Sequence, residues 1–125
     1  VTLADRPNLP YAEATLQEIF RKSSLVTTGL MHTAIKDATF AGYDIPKGTW
    51  VLPNIYAIHH DENIWGDPNN FRPERFLSPD EKKVIKSENL LPFSLGRRIC
   101  LGENLARDEI FLFLTNIFQR FSITV

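Results

Sequence analysis

The 125-residue chain holds one cysteine, Cys100, and three histidines, and it favours neither charge: 14 basic against 15 acidic side chains give a net charge of −1. A single thiol excludes an internal disulfide and a C-x-x-C metal knuckle. Balanced charge, with no basic cluster and no aromatic stacking platform, leaves no electrostatic footprint for nucleic acid. The longest apolar run, Ile110-Phe111-Leu112-Phe113-Leu114, is far too short to span a bilayer. No secretory signal, internal repeat or low-complexity tract is visible. The 43% of hydrophobic residues is ordinary for a globular core.

What is present centres on that one sulfur. Cys100 stands in Phe93-Ser94-Leu95-Gly96-Arg97-Arg98-Ile99-Cys100-Leu101-Gly102, which fits F-x-x-G-x-R-x-C-x-G. Five such fixed positions coincide by chance on the order of once in several million starting points. Elsewhere a lone cysteine is usually a small buried hydrophobe, and a nucleophilic one needs a positioned histidine that His32, His59 and His60 only weakly offer. In this setting Cys100 reads as a thiolate donor to haem iron. Backbone N–H groups and the start of a helix running from near Cys100 to about Arg120 are expected to hold the anion. Gly96 and Gly102 suit a sharp turn and a close approach to the macrocycle. Arg98 offers a donor fork for a haem propionate. Phe93 is expected to pack over the sulfur and restrict water.

The cysteine loop resembles the haem-binding signature of the cytochrome P-450 superfamily of haem-thiolate monooxygenases. Two further motifs agree in order: Glu18-Ile19-Phe20-Arg21 matches the family's E-x-x-R helix, and Phe71-Arg72-Pro73-Glu74-Arg75-Phe76 matches its P-E-R-F segment. The resemblance implies a mainly α fold with small β-sheets (α+β). It makes residues 1–125 a partial domain from the C-terminal third: E-x-x-R helix, β region, meander, cysteine loop and cysteine-bearing helix. The start at Val1 and the strand-like end Phe121-Ser122-Ile123-Thr124-Val125 read as a fragment.

Residue by residue, the resemblance implies a buried triad of Glu18, Arg21 and Arg75 that serves haem incorporation. Thr28-Gly29-Leu30-Met31-His32-Thr33-Ala34 is similar to a stretch of the microsomal drug- and steroid-metabolising branch in which a histidine donates to a propionate, the role implied for His32. Leu25, Val26, Thr28 and Leu30 become one wall of the substrate pocket, with ordinary strand core as the alternative. Thr27 and Met31 stand where many relatives have proline. Ala106 is expected to face the haem. The implied reaction inserts one atom of dioxygen into an apolar organic substrate, with haem b as cofactor and NADPH acting only through a reductase. The start of the last helix, Gly102 to Glu109, resembles the microsomal form, which points to the endoplasmic reticulum membrane for the parent protein; the alternative is mitochondrial. Competing readings are a haem-thiolate isomerase that rearranges peroxides and an inactive haem-binding fragment.

Local patterns predict a helix from Pro10 to about Lys22 closed by Ser23-Ser24, with Leu16, Ile19 and Phe20 as its apolar stripe, then an extended region from Leu25-Val26. A hairpin around Ala41-Gly42, a turn at Ile45 to Thr49, a strand at Trp50 to Leu52 and a short helix from Asn54 to His59 follow. His60 to Leu91 reads as irregular surface structure, with a short helix or exposed loop at Pro79 to Ser87. In the last helix Leu101, Leu105 and Leu112 are expected inside, with Glu103, Asn104, Arg107 and Asp108 opposite. Beyond Ile110 it is apolar nearly all round, the pattern of a helix covered by other parts of a larger protein.

Overall fold

Proline sets the first long element. In the computed structural model, which describes residues 1–124, Pro10 opens helix α1, Pro10–Ser23, where the missing N–H costs nothing. A 3-10 helix, Leu3–Asn8, leads into it. Ser24 ends it in the left-handed conformation, φ 39°. Apolar Ala14, Leu16 and Phe20 are buried, and so are Gln17, Glu18 and Arg21. Of the expected stripe Leu16 and Phe20 are buried while Ile19 is only half-buried, because the buried face is centred instead on Gln17, Glu18 and Arg21.

The segment after α1 corrects the expectation of extended chain. Ser24 to Leu30 forms turns, with Gly29 at φ 61° and its N–H donating to the Val26 carbonyl. A Cβ on Gly29 would stand 2.8 Å from Pro53 Cγ, so close approach as well as positive φ requires glycine there.

Among the described residues four short strands make two antiparallel pairs: β1 (His32–Thr33) with β4 (Trp50–Val51), and β2 (Ala38–Phe40) with β3 (Tyr43–Ile45). The second pair is the expected hairpin. Phe40 faces Tyr43 across Ala41 at φ 50° and Gly42 at φ 84°, the two positive φ angles that a right-twisted two-residue turn demands. The first pair joins residues the sequence pattern did not connect, setting His32 opposite Val51.

Helix α2, Ile55–His59, is the expected short helix, and it starts one residue after Asn54, whose Oδ1 caps it by accepting the Ala57 N–H at 3.0 Å. Helix α3, Glu62–Trp65, was not expected; Asp61 caps it by accepting the Asn63 N–H. A 3-10 turn at Pro73–Phe76 and a bridge between Leu77 and Val84 give the rest of the meander its shape. Pro79 to Ser87 is loop, not helix.

The last helix, α4, spans Glu103–Arg120, and Cys100 lies outside it. Its first half corrects the expected facing. Leu101 and Leu105 are exposed, at 102% and 64%, whereas Arg107 and Asp108 are half-buried and paired: Arg107 with Glu103 at 2.8 Å, Asp108 with Arg6 at 2.6 Å. Asp108 is drawn in because Arg6, itself gripped by Glu13 at 2.7 Å, waits on the neighbouring segment, and Arg107 because its guanidinium lies over the Phe20 and Phe93 rings at 5.3 and 5.0 Å. Among the described residues 121–124 form no strand, although Phe121 is extended; Val125 lies outside the described residues.

Two apolar clusters hold these pieces. Ala14, Trp65, Phe76 and Leu77 form one, and Leu16, Phe20 and Phe111 the other. Leu90 packs against both, so α1 is clamped between the meander and α4. Phe113 and Phe118 on the far side of α4 are exposed.

Candidate functional site

The most buried polar structure is built on α1. Residues three apart share a helix face, and Arg21 grips Glu18 with two bonds of 2.8 Å, both side chains fully buried. Arg75, carried by the Pro73–Phe76 turn, reaches Glu18 at 3.3 Å. The Arg72 N–H adds a third donor at 3.0 Å. Burial works to raise the Glu18 pKa, but the Arg21 hydrogen bonds, the Arg72 N–H and the charges of Arg21 and Arg75 outweigh it, and the carboxyl is held below its ordinary value.

The remaining guanidinium hydrogens go to backbone carbonyls and, from Arg75, also to the Asp67 carboxylate at 3.0 Å. Arg21 donates to His59, Pro68 and Asn70; Arg75 donates to Trp65, Asp67 and Asn70. Trp65 lies beneath both cations, at 5.3 and 5.9 Å. No buried side-chain polar atom is left without a partner among the described residues. Two arginines thus act as splints for a meander with little secondary structure of its own.

The turns after α1, the segment Pro92 to Leu101 and the start of α4 enclose a cavity of about 670 Å³. Phe20, Leu25, Val26, Leu30, Ile55 and Ile110 make its wall apolar, and Cys100, Arg98 and His32 bring it sulfur, cation and imidazole. Ala106 and Phe93 also line it. Of the residues expected to form the wall, Leu25, Val26 and Leu30 are there and Thr28 is not. The reason is the turn: without a strand's alternation, Thr28 does not share the side of Val26 and Leu30. The sequence reading missed Met31, Ile99, Leu101 and Pro92, which also line the space; nothing in their spacing marked them.

Around the sulfur several expectations change. Cys100 is exposed, with helical residues beginning only at Glu103, so the dipole contributes less than a first-turn position would give. Among the described residues no hydrogen bond to Sγ is formed. The loop is instead braced by backbone bonds: the Cys100 N–H donates to the Phe93 carbonyl at 2.9 Å, and the Ser94 N–H to the Leu91 carbonyl at 3.1 Å. Gly96 has φ 72° and open space where a Cβ would lie, so it serves the turn. Gly102 has an ordinary φ of −86°; a Cβ there would sit 3.9 Å from Sγ, and only a close approach in the cavity, not a sharp turn, gives glycine a reason there.

The Phe93 ring packs edge-on against Phe20, centroids 5.3 Å apart, and lies 5.0 Å from the Arg107 guanidinium. Its fixed neighbours belong to α1 and α4. Arg98 is in no ion pair among the described residues, and His32 is exposed on β1. No three His, Cys, Asp or Glu side chains converge as a metal cage among the described residues. A metal here would need one thiolate and equatorial donors of its own, which a porphyrin supplies; the cavity's size and apolar lining fit such a group.

Fold and site define a mixed helix and small-sheet protein with a lone cysteine set beside an apolar cavity. The family model for cytochrome P450 matches residues 1–125, and the chain belongs to that family. It is 46% identical over 125 residues to cytochrome P450 1A2 of Oryctolagus cuniculus, covering 98% of this chain and 24% of that protein. Identity is 40% over 124 residues to cytochrome P450 2U1 of Bos taurus, covering 99% and 23%, and 45% over 123 residues to farnesoate epoxidase of Bombyx mori, covering 98% and 24%. The chain therefore spans about a quarter of the length of these relatives.

Proposed function

We propose that this chain is the haem-binding segment of a haem-thiolate monooxygenase, from the C-terminal part of the cytochrome P-450 domain, in which the Cys100 thiolate would hold the iron of haem b. The convergence of Cys100, Arg98 and His32 on one apolar cavity supports this reading most directly. Once bound, the haem would supply dioxygen activation, which a thiolate donor favours. Cys100 donates as the thiolate. Arg98 would fork onto one propionate and His32 would donate to a propionate. Ala106 keeps the cavity clear, and Phe93, held by Phe20 and Arg107, limits water near the sulfur.

Leu25, Val26 and Leu30 form a wall for an apolar small-molecule substrate. The parent protein draws single electrons that originate in NADPH through a reductase, and resides at the endoplasmic reticulum membrane. Among the described residues no helix is long and apolar enough to cross a membrane. The name farnesoate epoxidase on one relative favours oxygen insertion over peroxide rearrangement. Glu18, Arg21 and Arg75 serve haem incorporation by holding the meander to α1.

The test is the carbonyl absorption band of the reduced, haem-loaded full-length protein. Cys100→Ser is expected to abolish the thiolate band while far-UV circular dichroism stays unchanged; a retained thiolate band overturns the ligand assignment. Arg98→Ala is expected to lower haem retention during gel filtration, with the band position kept.

A further inference from the structure

His59 has no part in the reading above, yet it is fully buried and every polar atom of it is engaged. Its Nε2 lies 2.9 Å from the Leu91 N–H, which donates to it. That bond fixes the tautomer: the ring proton must sit on Nδ1, which faces Ser24 Oγ at 2.9 Å. Ser24 passes its own hydrogen to the Arg21 carbonyl at 2.8 Å. The loop closes when the His59 carbonyl accepts from Arg21 at 2.7 Å. One imidazole thus joins the end of α1 to the peptide of Leu91, whose carbonyl accepts the Ser94 N–H, two residues before the turn at Gly96.

We propose that His59 is a positioning residue for the cysteine loop: as a neutral imidazole accepting from Leu91, it pins the start of the segment that carries Phe93 and Cys100, and its protonation releases that segment. The physical reason is donor against donor. A proton on Nε2 would point at the Leu91 N–H, and both cannot stay buried without a partner. The bond must break and the segment move away, or the ring must stay neutral.

The surroundings keep it neutral. Burial chiefly, then the charges of His60, just past the end of α2, and Arg21 on α1, depress its pKa from 6.5 to about 4. Glu18 and Arg75 stand behind Arg21 and engage it or its partner. Because the folded pKa lies below the ordinary one, the stabilisation is complete above pH 6.5 and is lost as pH falls toward 4. Over that window each pH unit raises the open population about tenfold, up to roughly 300-fold, at one proton per opening.

The inference rests on the haem reading only for its second readout, so the two can fail separately. In the haem-loaded full-length protein, exchange mass spectrometry on a peptide containing Leu91, corrected for the intrinsic rate, is followed from pH 6.5 to 4.5. Protection is expected to fall about tenfold per unit; a flat profile overturns the proposal, whatever the variants do. In His59→Gln the amide oxygen replaces Nε2 as a non-titrating acceptor, and the expected result is protection at neutral pH with the acid slope abolished. His59→Leu is expected to lose Leu91 protection at every pH. As the second readout, acid conversion of the thiolate band should slow in His59→Gln relative to the unsubstituted protein. An unchanged acid slope in His59→Gln also overturns the proposal, whereas a Cys100→Ser protein that keeps its thiolate band overturns only the ligand assignment.

Discussion

Glu18 shows how a single residue's energetics depend on its company. On a solvated helix the Glu18–Arg21 pair would contribute roughly 0.3 to 0.5 kcal/mol. With three donors on a fully buried carboxylate, removing one partner typically costs about 3 to 5 kcal/mol. Arg75→Ala in the full-length protein is therefore expected to lower stability by that amount in chemical denaturation and to reduce bound haem per chain. Arg75→Lys keeps the charge but not the fork, and is expected to rescue little. Glu18 has a lowered pKa in the fold, so its contribution is present above its ordinary value of 4.5 and lost as pH falls below it. Acid unfolding of Glu18→Gln should accordingly lack this component below pH 4.5.

Elements here are short, and what fixes them is local geometry at their ends. The four strands have two or three residues each, too few to stand alone, so β1 and β4 depend on the turns that deliver them. Gly29 is the tightest of these positions, with both a positive φ and a Cβ direction blocked at 2.8 Å by Pro53. Gly29→Ala is expected to destabilise the full-length protein by about 1 to 3 kcal/mol, from strain and the displacement of Pro53. Since Gly29 also lines the cavity, a red-to-blue change in the haem absorption on substrate addition should shift as well. A melting temperature equal to that of the unsubstituted protein would contradict the close approach.

At the scale of the molecule, Arg6 is the tie between the two ends of the chain. It holds Glu13 of α1 through Nε and Nη2 and Asp108 of α4 through Nη1, and lies 5.1 Å from the Phe111 ring centre. The network is partly wet, with Asp108 42% exposed, so its loss is expected to cost only about 1 kcal/mol. Arg6→Ala should shift the thermal midpoint of the full-length protein slightly, and the shift should shrink at high salt. The outer side of α4 leaves Phe113, Ile117 and Phe118 exposed, the apolar surface that the pattern beyond Ile110 led one to expect on this helix.

The sequence by itself determined whatever depends on a few residues close together: α1 from its proline and apolar spacing, the hairpin from Ala41-Gly42, the short helix that follows Asn54, and the family from three ordered motifs. It also marked Cys100, Arg98 and His32, residues whose chemistry is uncommon enough to stand out. Only the tertiary structure decided what depends on direction and burial. It turned Thr28 out of the cavity wall and brought Leu101 into it, set Arg107 and Asp108 on paired inner positions and left Leu105 exposed, and started α4 after the cysteine rather than at it. It alone gave His59 its partners, because a histidine at the end of a short helix carries no local sign that Ser24 and Leu91 will meet its two nitrogens. Spacing along the chain sets which residues share a face; which face is buried is set by what arrives from far away in sequence.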